Sequence, residues 1–233
     1  DEVGAARAAL ARAAVPPDAG QTFTYQQYLG ALLACRDRSP VQAASGTLHV
    51  IGESHAVGAH GALVHVQGVA RRCQGWWIEG CKQWHLANEQ PNRFKSQFGR
   101  ILDRLPPRSW LMLAIGEIDC RLDEGLLPAW RKSGDQALGA MVDATVGRFV
   151  GYVCRATAAH GHQLVFSAVP ASNHPRDQMQ AHDRPVLAQL IAAFNESLQK
   201  AALDAGHHFL DLYGLTLGPD GFSTGKWHLD THH

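Results

Sequence analysis

Thr47-Leu48-His49-Val50-Ile51-Gly52-Glu53-Ser54-His55-Ala56 is the stretch on which the reading of this chain turns. Thr47–Ile51 is short, mostly apolar and β-branched, which suits a buried strand, and Gly52 interrupts it. Ser54 then stands in a strand-to-helix turn, at the start of a long helix expected over His55–Arg72. A helix N-terminus offers unpaired N–H groups and a partial positive charge, both suited to an oxyanion forming beside a hydroxyl. The competing reading makes Ser54 a simple helix cap, a role serine commonly fills.

Outward from that turn the same alternation repeats. Further strands are expected at Gly75–Glu79, Ser109–Ile115, Gln163–Ala168 and His208–Leu212, with helices at Asn92–Leu105, Gln136–His160 and Pro185–Ala205. Gly161 and Gly206 fall where glycines end helices. Five strands with four crossovers fit a three-layer α/β/α sandwich around a five-stranded parallel sheet. In such sheets ligands bind at the carboxyl ends of the strands, near a topological switch point. Before Gly46 the sequence is helical in pattern at Ala5–Val15 and Thr24–Arg36, so residues 1–45 are expected as a helical extension packed on a main domain of 46–233.

Composition narrows the function classes. With 21 Lys+Arg against 21 Asp+Glu in 233 residues, the chain has no basic excess, and nucleic acid is not an expected partner. No run approaches the ~18 apolar residues of a membrane span. The five cysteines contain no C-x-x-C pair and read as small apolar fillers rather than a disulfide framework or a Cys zinc site. Ala5–Ala14 carries charges where a secretory leader would be apolar, so the expected compartment is the cytoplasm.

The second chemical signal is at the other end. Trp227-His228-Leu229-Asp230-Thr231-His232-His233 follows the last strand and a Gly-rich loop. Asp230 and His233, three apart, have the spacing that lets a carboxylate hold imidazole Nδ1–H and leave Nε2 to accept a hydroxyl proton. An alternative makes His228, Asp230, His232 and His233 ligands of a zinc-type ion, although an extended backbone would point alternate side chains apart.

Taken in order, Gly52-Glu53-Ser54-His55, Gly80, Gly116-Glu117-Ile118-Asp119 and Asp230-Thr231-His232-His233 resemble the blocks of the SGNH (GDSL-like) serine hydrolase superfamily, over Thr47 to the end. The resemblance implies a flavodoxin-like fold and an ester hydrolase or acyltransferase that needs no cofactor or metal. Ser54 would be the nucleophile, His233 the base and Asp230 its orienting carboxylate, and the N–H groups of Ser54 and Gly80 would form part of the oxyanion hole. An aromatic at the rim, Trp84 or Trp227, could stack on a sugar ring or cover an acyl group, so a small-molecule or carbohydrate ester is the expected substrate.

Two residues depart from the family pattern. Glu53 replaces the usual Asp, and Ile118 replaces the Asn whose amide would donate to the oxyanion, a loss typically worth about 10²–10³ in rate. Asn88, Lys82 and Arg121 are candidate replacement donors. Glu117 and Asp119 either belong to the substrate site or tie down loop N–H groups, and Glu117 could tune His233. Trp84 and Trp227 are expected at the rim, and Trp76 and Trp77 on opposite faces of a strand. A non-catalytic binding domain on the same fold is the alternative that Ile118 motivates.

Overall fold

Six residues of the key stretch, 47–52, lie at the centre of the sheet. The computed structural model describes residues 8–13, 16, 21–36, 43–134 and 137–228, and in it strand β1 runs Gly46–Gly52. The other strands are β2 (Leu63–Val66), β3 (Val69–Trp77), β4 (Trp110–Ala114), β5 (Gln163–Ser167) and β6 (His208–Leu210). They join in the order β2-β3-β1-β4-β5-β6. Only the β2–β3 pair is antiparallel. The sheet therefore has six strands rather than the five expected, and its five parallel strands follow the doubly wound order in which the chain reverses direction between β1 and β4.

Two compact units are distinguished: a larger one of Ala44–Trp227, and a smaller one to which the described residues before Ala44 belong. In the smaller unit residues 8–12 are helical, Gln21–Arg36 forms a helix, and Gln26 Nε2 donates to Leu10 O at 3.2 Å. The larger unit holds the sheet and helices α1 (Ser54–Ala59), α2 (Gln83–Ala87), α3 (Arg93–Leu102), α4 (Leu126–Ser133), α5 (Leu138–Thr157), α6 (Asp183–Asp204) and α7 (Leu212–Thr216). No helix among the described residues is long and apolar enough to cross a membrane.

Strand alternation divides the core between two faces. Ile51, Leu111, Leu113, Leu164 and Phe166 point to one face and pack with residues of α3, α5 and α6. Those helices read as single apolar stripes: Val142, Val146, Phe149 and Val153 on α5, Leu187, Ile191, Phe194 and Leu198 on α6. Leu48, Val50 and Cys73 point to the other face, where Ala56 of α1 covers them. Helices thus lie on both faces, as a three-layer α/β/α sandwich requires. Cys73, Cys81, Cys120 and Cys154 are free thiols, the first three of them buried as fillers.

The expected helix His55–Arg72 is replaced by the six residues of α1 and the β2–β3 hairpin. The cause is a two-residue turn in which Gln67 and Gly68 both take positive φ, 51° and 77°. Such a turn matches the twist of a hairpin, and the flanking Val64, Val66 and Val69 favour strand. The pairing carries β3 through Val69–Trp77, so the strand expected at Gly75–Glu79 begins and ends earlier. Helices α2, α4 and α7 were not anticipated either, each being too short to impose a period on the sequence.

Candidate active site

Gly52 pairs in register with Trp77 of β3 and Ala114 of β4, so three strand ends lie on one line. Ser54, Gly80 and Gly116 each follow that line by two or three residues, at the carboxyl edge beside the switch point. The close approach makes Gly52 obligatory, since a Cβ there would meet the Ala114 carbonyl oxygen at 2.1 Å.

Ser54 opens α1 but does not cap it. Glu53 is the cap residue, and its Oε2 accepts from His55 N at 3.0 Å. The same carboxylate accepts from Ser54 Oγ at 2.9 Å and holds His55 Nδ1 at 2.8 Å. Ser54 is 4 % exposed and Glu53 2 %. Burial opposes the His55 charge, yet the Glu53 carboxylate outweighs it and raises the imidazole to about 9. Burial would likewise raise Glu53, but the His55 charge and the hydrogen bonds from His55 and Ser54 leave it below its ordinary value. A charged pair therefore sits beside the Ser54 hydroxyl at neutral pH.

The loop after β3 is held from the third block. Asp119, fully buried, accepts from Gln83 N at 2.6 Å and Trp84 N at 3.2 Å, and so fixes the start of α2. Burial pushes its carboxyl up to about 7 against the pull of those two N–H groups. Of the two sequence readings for Asp119, this is the loop-tying one. Gly80 takes φ +66° with open space around it, so its backbone conformation, not crowding, favours glycine. Gly116 takes φ +144°, and a Cβ there would press on Phe194 at 2.9 Å and Gln83 Nε2 at 3.1 Å.

Glu117 is chelated by Arg121, whose Nε lies 3.0 Å from each carboxylate oxygen. Both charges reach the His55 ring, Glu117 raising its pKa and Arg121 lowering it, so the first and third blocks converge. Cys81 belongs to the same neighbourhood: burial raises its thiol, and the charges of Asp119 and Glu53 add to that effect.

Among the described residues, two of the candidate replacement donors have carboxylate partners, and the third, Asn88, is engaged through its acceptor oxygen and not its Nδ2. Lys82 Nζ pairs with Glu124 at 2.8 Å, Arg121 holds Glu117, and Asn88 Oδ1 accepts from Gln90 N at 2.9 Å. Ile118 is buried in a short 3₁₀ turn and offers no donor. Asn88, Trp84 and Asp119 line a cavity of about 690 Å³ that Met141 and Arg148 help to wall. Trp84 is half exposed there, Trp227 is exposed, and Trp76 and Trp77 divide as the strand pattern requires, Trp76 donating to His49 Nδ1 at 3.1 Å. Asp230, His232 and His233 lie outside the described residues, and with them both the proposed base and most of the alternative metal cluster.

Two site features escape the sequence reading. The Glu53–His55 pair was legible in principle, because a carboxylate two residues before an imidazole at a helix start can cap and chelate together. Gln83, fully buried, donates from Nε2 to Ile115 O at 2.8 Å and braces the third block against the second. No local pattern marks it.

No protein-family model matches this sequence, and no curated protein matches it. Solved structures do. A GDSL-like lipase from Bacteroides thetaiotaomicron is 15% identical over 90% of this chain and 88% of its own, with a TM-score of 0.52. A candidate acylhydrolase from Bacteroides fragilis is 16% identical over 94% of this chain and 89% of its own, also with a TM-score of 0.52. The doubly wound sheet, the glycine turns at its carboxyl edge and these two likenesses agree: the chain shares the α/β/α fold of these GDSL-like lipase and acylhydrolase structures.

Proposed function

We propose that this chain is a serine-dependent carboxylic ester hydrolase or O-acyltransferase working through an acyl-enzyme on Ser54. The observation that carries the reading is the convergence of Ser54, Gly80 and Gly116 one turn beyond a common line of strand ends. Ser54 Oγ would attack the ester carbonyl while His233 Nε2 accepts its proton and Asp230 orients the ring. The N–H groups of Ser54 and Gly80 would receive the oxyanion. His233 would return the proton to the leaving alcohol, and water or an acceptor alcohol would then take the acyl group by the reverse sequence. The cavity beside Trp84 and Asn88 is not lined by Ser54 itself; it would take the non-reacting part of a carbohydrate ester, with the half-exposed indole as a stacking face.

A fluorophosphonate probe tests this directly. Wild type should label and hydrolyse an aryl acetate, and Ser54→Ala should do neither while keeping its circular dichroism spectrum. Absence of both activities in the wild type overturns the reading. It would leave the second one, a binding domain on a hydrolase fold, which the buried Ile118 at the donor position favours.

A further inference from the structure

The amino-terminal edge of the sheet carries a cluster of arginines that plays no part in the chemistry above. Arg71, Arg104 and Arg108 line a cavity of about 480 Å³ with His49, Ser109 and Trp110. Thr47, at the opposite end of β1 from Ser54, also lines it, which puts about 20 Å of strand between the two sites. No Asp or Glu lines this cavity. Among the described residues none of the three guanidiniums forms an ion pair.

Arg104 and Arg108 are exposed, and two further observations bear on the cluster. Arg71 is half-buried, its Nε has no hydrogen-bond partner, and its guanidinium stands over the Trp110 ring at 5.6 Å from the centroid. Arg108 holds a left-handed backbone, φ 59°, where glycine or asparagine would sit with less strain, and its N–H donates to His160 O at 2.9 Å. Like charges gathered without a carboxylate repel one another, and an anion placed among them removes that cost. Backbone strain kept at such a position is a further sign of use.

We infer that this cleft binds a tetrahedral oxyanion carried on a small phosphate or sulfate monoester. Guanidinium forks match the oxygen geometry of such groups, and Arg forms two parallel hydrogen bonds where Lys offers a point charge. Trp76 and Trp110 give the organic part of the ester an apolar wall. Burial lowers the pKa of His49, and because its Nδ1 accepts from Trp76 the neutral ring carries its proton on Nε2, a donor compatible with an anionic guest. The inference is independent of Ser54, so Ser54→Ala should bind as wild type does.

Isothermal titration calorimetry with phenyl phosphate and, separately, phenyl sulfate at low ionic strength tests it on the full chain, with tryptophan fluorescence as a second readout. Saturable binding that weakens with added salt is expected for at least one probe, and the stronger probe identifies the oxyanion. Arg108→Gly relieves the backbone and should fold at least as well as wild type, yet bind about tenfold or more weakly, as should Arg104→Ser. No saturable binding of either probe up to about 10 mM, or binding unchanged in both variants, overturns the inference.

Discussion

Ser54 Oγ donates to the carboxylate of its own neighbour, Glu53, at 2.9 Å, and that carboxylate also holds the His55 ring and caps α1. A single buried side chain therefore orients the candidate nucleophile, starts its helix and keeps a charged imidazole alongside. The Glu at this position thus has a structural consequence: its carboxylate links the His55 ring to the Ser54 hydroxyl.

The first prediction concerns pH. His55 titrates near 9 in the folded chain, above its unfolded value of 6.5, so its stabilising contribution is full below about 6.5 and disappears as pH rises through about 9. Glu53 is shifted the other way, so its contribution holds above its unfolded value of 4.5 and disappears as pH falls below it. Urea midpoints of wild type should accordingly drop between pH 7 and 9 by more than those of Glu53→Gln, in which the His55 ring should titrate well below 9 by NMR. Equal pH profiles for the two proteins would refute the pairing.

Asp119 gives the second. Its folded carboxyl titrates near 7, far above the unfolded 3.8, so the folded state holds the proton more tightly and this group subtracts stability as pH rises from about 4 to 7. Asp119→Asn removes the buried charge but can accept only through one oxygen, which leaves the Gln83 or Trp84 N–H facing an amide donor. We expect a loss of about 1–3 kcal/mol at pH 5, where the wild-type carboxyl is already protonated, and a smaller loss at pH 8. Amide exchange at Gln83 and Trp84 should quicken, and turnover should fall with the loosened loop. Unchanged exchange there would mean Asp119 does not hold α2.

Two glycines should fail differently. Gly52→Ala puts a methyl 2.1 Å from the Ala114 carbonyl oxygen, so β1 and β4 must part, and little folded protein should be recovered. Gly80→Ala meets no atom within 4 Å and bears only the left-handed conformation, about 1–2 kcal/mol. It should fold, melt a few degrees lower, and hydrolyse an aryl acetate more slowly if its N–H serves the oxyanion. A Gly80→Ala protein of full activity would remove Gly80 from the oxyanion hole.

How much of this was written in the sequence depends on what each feature rests on. β1, β4 and β5 were legible as short, mostly apolar runs, β1 packing on both faces of the sheet, and α3, α5 and α6 because each repeats apolar residues along one buried stripe. The β2–β3 hairpin was not: Ala, Val and His over residues 56–66 carry no clean alternation, and Gln67-Gly68 is not one of the common hairpin dipeptides. At the site, the blocks were legible as an ordered set because their glycines answer to local backbone demands at Gly52, Gly80 and Gly116. Gln83 and the identity of the N–H groups that Asp119 ties were not, because their partners lie more than thirty residues away and only the fold brings them together.

The last prediction turns on Ile118. The resemblance gives this position to an amide that donates to the oxyanion, and here a buried apolar side chain holds it. Ile118→Asn supplies the missing donor at the cost of an apolar contact, about 1–3 kcal/mol of stability where the new amide finds partners. If Ser54 works as proposed, turnover of an aryl acetate by the folded variant should rise by up to about 10²–10³, seen in kcat more than in KM because the donor acts on charge that develops only in the transition state. Adding Ser54→Ala should abolish the gain. A folded Ile118→Asn protein whose kcat does not move would show that the side chain at 118 does not face the developing oxyanion, and that the rate of this site is set by its other donors.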